Sequence, residues 1–272
     1  MDLLHNLASE NKRLKRELTE AQQRVRALET SRWHRLNPRE RWRKRHPTPP
    51  MPDTTAREAS VGAGRAGTAR LEQFRNEIVV RGTFTEDWFL RGQPMYSWEP
   101  LLSPLEGRTA RILEIGSFEG MSACYLLWRL PDARITCIDT FQGGIEQDVE
   151  LLSGLEDRFD ANVSLVDASR VRKLVGESQR VLLNLAGADD EFDFVFVDGS
   201  HLALDVLVDA ALSWRVLAQG GTLVFDDYDW AALGDDTLLR PGPAIDAFLS
   251  LVVGKYEPIF ADRQIAVRKM VR

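Results

Sequence analysis

Apolar side chains near the start of the chain recur in steps of three and four. Residues 4, 7, 11, 14, 18, 21, 25 and 28 are Leu, Leu, Asn, Leu, Leu, Ala, Val and Leu, and Lys, Arg, Glu and Gln fill most positions between them. This a/d repeat of period 3.5 predicts a coiled-coil helix. An isolated helix of this length is marginal in water, so the seam calls for a partner strand. Asn11 at an a position favours a parallel homodimer through residues 4–28, although a monomeric amphipathic helix shows the same stripe. The basic stretch SRWHRLNPRERWRKRH, residues 31–46, has two readings. It is a solvated extension of the helix broken at Pro38, or an arm that touches an anionic membrane surface or a partner protein. Residues 47–70 are rich in Pro, Ala, Gly and Thr and poor in large apolar groups, the composition of a flexible linker.

From residue 71 to 272 the pattern becomes that of a globular domain. LEQFRNEIVVRG reads as a helix, and an aromatic-rich segment with Trp88, Phe89, Tyr96 and Trp98 follows. Near-continuous apolar runs then predict strands at 110–115, 134–139, 171–176, 192–198 and 221–226. Helical periodicity fits 120–130, 146–160, 179–186, 203–218 and 243–253. Such alternation predicts an α/β fold, a doubly wound, Rossmann-like, mainly parallel sheet. KYEPIF and DRQIAVRKM, joined by a tight turn, add an antiparallel C-terminal pair and bring the sheet to seven strands.

Charge divides the chain as the hydrophobic pattern does. Residues 1–46 hold 13 Lys and Arg against 6 Asp and Glu, whereas the remainder holds 22 against 35. An acidic body argues against nucleic acid bound on the catalytic face. No apolar run approaches the length of a transmembrane segment, and the N-terminus lacks the apolar core of a secretory leader. Cys124 and Cys137 lie in apolar surroundings and read as small buried thiols. A cytoplasmic location fits these features.

Polar clusters fall at the C-terminal ends of the expected strands, where open α/β sheets bind ligands. The first turn reads ILEIGSFEGMS, with Gly116 and Gly120 flanking the start of a helix whose free N–H groups form an anion-friendly end. Phe118 occupies the place of the second glycine of the dinucleotide pattern, which disfavours pyrophosphate. Glu114 beside it suits a cationic ligand. Asp139 ends the second strand and can accept from ribose hydroxyls. Gly176, Glu177 and Ser178 form a polar edge after the third strand, Asp198 and His201 follow the fourth, and Asp226 and Asp227 follow the fifth. Each acid taken alone also reads as a cap or turn residue.

The ordered set ILEIGSFEGMS, CIDTF, LVGESQ, FDFVFVDGSH and GGTLVFDDY resembles class I S-adenosylmethionine-dependent O-methyltransferases. It is most similar to the metal-dependent catechol and macrocin types and to the bacterial group with a D-G-S-H turn. The resemblance spans about residues 84–270 and implies sites for S-adenosylmethionine and, in metal-dependent members, Mg²⁺. By this likeness Glu114, Gly116, Ser117, Gly120 and Ser122 border the methionine part of the cofactor. Asp139 and Thr140 take the ribose, and Glu177 and Ser178 edge the adenine. Asp198, Asp226 and Asp227 correspond to metal ligands, and hard carboxylates suit Mg²⁺. His201 stands near the position of a basic lysine and becomes the expected general base, with Asp198 beside it. Asp227 departs from the Asn of the catechol type. The aromatic segment 88–98 is either a lid or ordinary packing. Hydroxyls of sugars, glycans or natural-product-like small molecules lead as acceptors. The competing readings are a non-catalytic dimeric scaffold and an NAD(P)-linked oxidoreductase.

Overall fold

The computed structural model describes residues 69–91, 98–144, 147, 149–234, 236–261 and 263–271. The expected coiled coil and basic arm, nearly all of the expected linker, and Tyr96 lie outside the described residues. Residues 69 and 70, assigned above to the linker, are already helical.

Helix α1, residues 69–77, turns Leu71 and Phe74 inward, and Ile78 continues the buried stripe into a 3₁₀ turn at Val79–Arg81. Trp98 then enters the core at 0% exposure, packed edge-on against Phe89, Phe194 and Phe196. Glu99 follows, held by the buried Arg129 at 3.1 Å and by the Tyr125 hydroxyl at 3.0 Å. These contacts tie the approach segment to the sheet.

Five parallel strands come next: β1 (Arg111–Ile115), β2 (Arg134–Asp139), β3 (Val171–Val175), β4 (Phe192–Val197) and β5 (Leu217–Phe225). The antiparallel β6 (Tyr256–Ala261) and β7 (Ile265–Lys269) complete a seven-stranded sheet in the order β3-β2-β1-β4-β5-β7-β6. The helices between them are α2 (Met121–Arg129), α3 (Leu155–Ser164), α4 (Ser178–Gly187), α5 (Ala203–Val216) and α6 (Pro241–Leu251). β1 and β4 are buried along nearly their whole length because helices cover both faces. The edges differ. β3 carries Arg172 and Lys173, and β6 carries Pro258 with a register shift beside it, devices that discourage further strand pairing.

Two expected elements change shape. The helix read over 146–160 is broken into Val149–Leu152 and α3, because Gly154 takes φ +67° and caps α3. β5 starts four residues earlier than read, with a register shift opposite Phe192–Phe194 that accommodates Gly220 at φ +79°. The chain runs from β1 outward to β3 and then crosses back to β4. The tips of β1 and β4 therefore flank a topological switch point, where the outgoing loops diverge and leave a crevice. No helix among the described residues is long and apolar enough to cross a membrane.

Candidate active site

The β1 turn is packed against the β4 turn. Gly116 has φ +85°, and a Cβ there would overlap the carbonyl oxygen of Asp198 and lie 2.6 Å from Gly199 Cα. Asp139 joins this turn to β2: its Oδ2 accepts from Phe118 N at 2.8 Å and its Oδ1 from Phe141 N at 2.6 Å. Burial raises the Asp139 carboxyl, against the pull of those amides. Phe118, Phe141 and Asp227 are left-handed at φ +46°, +55° and +51°. Backbone strain is thus concentrated at the strand tips, as at many functional sites.

A cavity of about 590 Å³ opens over these tips. Gly116, Phe118, Asp139 and Thr140 form one side, Glu177, Ser178 and Gln179 another, and Asp198, Gly199 and Ser200 a third. Gly143, Gly144 and Gln147 close it from the connection after β2. Trp88, partly exposed, packs on Phe118 at 5.1 Å between ring centroids and so stands at this rim.

Beyond Asp198 lies an acidic cluster. Asp198, His201 and Asp227 each place one ligand atom within 4.8 Å of the others. His201 Nε2 is 2.9 Å from Asp227 Oδ2, and the imidazole stacks on Trp230 at 4.1 Å with an 11° interplanar angle. Burial drives the Asp198 carboxyl well above its ordinary range, and repulsion from Asp226 and Asp227 adds to this. Asp226 is pushed up to about 6 by burial and then by Asp227. Its Oδ1 accepts from the Asp227 N–H at 2.7 Å and its Oδ2 from the Gln264 amide at 3.0 Å. Gln264 is oriented in turn by the Trp98 indole N–H, 2.9 Å from its Oε1.

Residues 113–228 match a family model described as a methyltransferase domain. The chain carries a methyltransferase domain. No curated protein matches it in sequence. Among solved structures it is similar to the MycE methyltransferase from the mycinamycin biosynthetic pathway, determined with Mg and SAH. The identity there is 21% and the TM-score 0.47, with 65% of this chain and 50% of that chain covered. This chain therefore spans about half the length of MycE. The O-methyltransferase TomG from Streptomyces achromogenes, in complex with SAM, is 22% identical with a TM-score of 0.46, covering 64% of this chain and 79% of that one. An O-methyltransferase from Bacillus cereus in complex with SAH is 17% identical with a TM-score of 0.48, covering 81% and 93%.

The methyltransferase domain sorts the expected cofactor residues into two groups. Gly116, Asp139, Thr140, Glu177 and Ser178 reach the cavity wall. Glu114, Ser117, Gly120 and Ser122 are not part of that wall. Glu114 is fully buried with its Oε2 3.6 Å from the Cys137 thiol, because strand alternation sends it to the opposite face from Ile115, which lines the cavity. Its carboxyl is raised, first by burial. Ser117 and Ser122 are buried, and Gly120 caps α2 facing the Phe159 ring. In the expected metal set, Asp198 and Asp227 converge with His201, while both oxygens of Asp226 already accept hydrogen bonds. Of the aromatic segment, Trp98 is core packing and Trp88 covers Phe118.

Several residues escaped the sequence reading. Glu119, in the middle of the first turn, is 2% exposed; it accepts from Thr85 N and from Arg158 Nε and so fastens the approach segment to that turn. Asp209 is 1% exposed on α5 and accepts the Ser178 hydroxyl at 2.7 Å. Its signal in the sequence is a lone acid on the inward stripe of Val206, Ala210 and Ser213. Burial pushes its carboxyl up to about 7, with Asp205 adding repulsion and Ser178 opposing both. A folded value above the unfolded 3.8 means that the folded state holds a proton the unfolded chain has lost. Stability on this account is full at low pH and falls as pH rises through the folded value. Asp209→Asn removes that loss. It raises stability by up to about 4 kcal/mol at about pH 8 and by nothing below about pH 4, measured by urea unfolding. A gain of equal size at both pH values contradicts the assignment.

Proposed function

We propose that this methyltransferase domain transfers a methyl group from S-adenosylmethionine to a hydroxyl oxygen of a sugar, glycan or natural-product-like acceptor. One observation carries the reading: Asp198 lines the 590 Å³ cavity and also belongs to the cluster with His201 and Asp227. A nucleoside cavity and a proton-handling group therefore meet at one residue.

The residues present fit the cofactor. Asp139 lines the cavity with its carboxylate oriented by the Phe118 and Phe141 amides, an acceptor suited to a ribose hydroxyl. Gly116 keeps the floor of the cavity free of a side chain, and the ribose at Asp139 directs the base toward Ser178 and Gln179. The cofactor would supply the methyl group on a sulfonium, whose positive charge suits an acidic surrounding. His201 acts as general base. With hydrogen on Nε2, Asp227 accepts that hydrogen and Nδ1 carries the lone pair that takes the acceptor's proton. Trp230, stacked on the ring, restricts its rotation. Bound there, the sulfonium would give up its methyl as the acceptor C–O bond formed and the S–C bond broke, its electron pair staying on sulfur. The acceleration comes largely from alignment.

The donor set also fits a divalent cation. Asp198 and Asp227 offer hard oxygens beside His201, and the repulsion that adds to burial in raising Asp198 is the kind a cation relieves. Mg²⁺ held there would lower the pKa of the acceptor hydroxyl. The test is methyl transfer, read as S-adenosylhomocysteine release over a panel of hydroxylated acceptors. Chelator is expected to abolish turnover and added Mg²⁺ to restore it; full turnover in chelator removes the metal, and no turnover with any acceptor removes the enzyme. Dimerisation through residues 4–28 and a cytoplasmic location belong to the same proposal, and analytical ultracentrifugation reports the first.

A further inference from the structure

Two carboxylates of α5 stand one helical turn apart, Asp205 in the cavity wall and Asp209 buried behind it, and neither has a part in the chemistry above. Three wall residues donate to them. The Ser178 hydroxyl gives its proton to Asp209 Oδ1 at 2.7 Å. The Ser200 hydroxyl donates to Asp205 Oδ2 at 2.8 Å, and Gln179 Nε2 donates to Asp205 Oδ1 at 3.1 Å. Ser178, Gln179 and Ser200 all line the cavity.

An ionised carboxylate can only accept, so once Asp209 has lost its proton, above about pH 7, these bonds have one possible direction. A serine hydroxyl has a single proton. Once that proton points at Asp205 or Asp209, the oxygen meets a ligand as an acceptor. The Gln179 amide is likewise turned nitrogen-first toward Asp205, which leaves Oε1 as the end for a ligand. The backbone N–H of Leu202 donates to Ser200 Oγ at 3.1 Å and holds that hydroxyl in the same sense. The side of the cavity between α4 and α5 is thereby set to acceptors, the complement of an amine and the wrong partner for a carbonyl.

We propose that Asp205 and Asp209 are positioning residues that orient Ser178, Gln179 and Ser200 so that the cavity selects the exocyclic amine of adenine over a carbonyl in the same place. The proposal rests on the reading that this cavity holds an S-adenosyl ligand. It gives a reason for a buried acid on α5. Burial holds Asp209 near 7, a cost in stability that an apolar residue would avoid, and the same acid sets the polarity of the wall.

Isothermal titration with S-adenosylhomocysteine and S-inosylhomocysteine, which carries a carbonyl in place of the adenine amine, tests this. It is run on the full chain at about pH 8.5, where Asp209 is ionised. The wild type is expected to favour S-adenosylhomocysteine by about 100-fold, since a site built for one hydrogen-bond polarity rejects the other. In Asp209→Asn and Asp205→Asn the new amide can donate to the serine oxygen and free its proton for the ligand. The preference is then expected to fall to about tenfold or less, with S-inosylhomocysteine gaining affinity. A merely structural role weakens both ligands together and leaves the ratio unchanged; that ratio, unchanged in both variants, overturns the proposal. Because Asp209→Asn is expected to be the more stable protein at this pH, lost discrimination there is separable from unfolding. Wild type that binds both ligands equally overturns the polarity argument and leaves the cofactor reading standing. Wild type that binds neither overturns both.

Discussion

Replacing His201 with alanine is expected to lower kcat by about 100-fold or more while S-adenosylhomocysteine affinity stays within about twofold. The reasoning is geometric. His201 sits outside the cavity lining, 2.9 Å from Asp227, so its loss removes a proton acceptor without removing a wall. Asp227→Asn is expected to cost a similar factor, because an amide can offer its N–H to the imidazole and stabilise the wrong tautomer. The double variant is then expected to fall no further than the worse single one, since both changes disable the same proton transfer. Initial rates of S-adenosylhomocysteine release, with titration calorimetry for affinity, measure all three. An unchanged kcat in His201→Ala removes the general base. Fully additive losses mean that His201 and Asp227 act separately, as they would if Asp227 served only a cation.

The second large effect is expected at Gly116. Alanine there meets two penalties: a left-handed φ of +85° and overlap with the Asp198 carbonyl. The first costs about 1 kcal/mol. The second involves backbone on both sides, so no flexible side chain can give way, and the turn must separate from β4. A total of about 3 kcal/mol or more, a drop in Tm of about 10 °C, and loss of S-adenosylhomocysteine binding are expected. Gly107→Ala is the control. Gly107 also has a left-handed φ, +67°, but a Cβ there would meet nothing within 4 Å. It is expected to cost about 1 kcal/mol and leave binding intact. Equal effects at the two glycines would show that strain alone matters and that the close approach of β1 to β4 does not.

The sheet was legible because buried parallel strands are apolar on both faces, and so stand out as runs such as ILEI and FDFVFV. The break at Gly154 was missed because the flanking apolar spacing continues through it; only the left-handed backbone shows that the helix ends and restarts. Asp139 and Ser178 were legible as cavity-wall residues because residues at strand tips face the crevice. Glu114 is not in the cavity lining. It lies two positions before Gly116, near enough to look like part of the turn, yet still inside β1 and on the buried face.

By itself the amino-acid order determined the alternation of strands and helices, the antiparallel close, and the clustering of acids at the strand ends. These are local properties, set by periodicity and by which residues can terminate a strand. The tertiary structure alone decided which acids share a site, that Asp226 is engaged by Gln264 from the far end of the chain, and that α5 places Asp205 and Asp209 behind Ser178 and Gln179. Those pairings join residues 26 to 38 positions apart. No local propensity encodes them, because they arise only when the crossover from β3 to β4 sets α4 beside α5 and the antiparallel pairing of β7 with β5 brings Gln264 to Asp226.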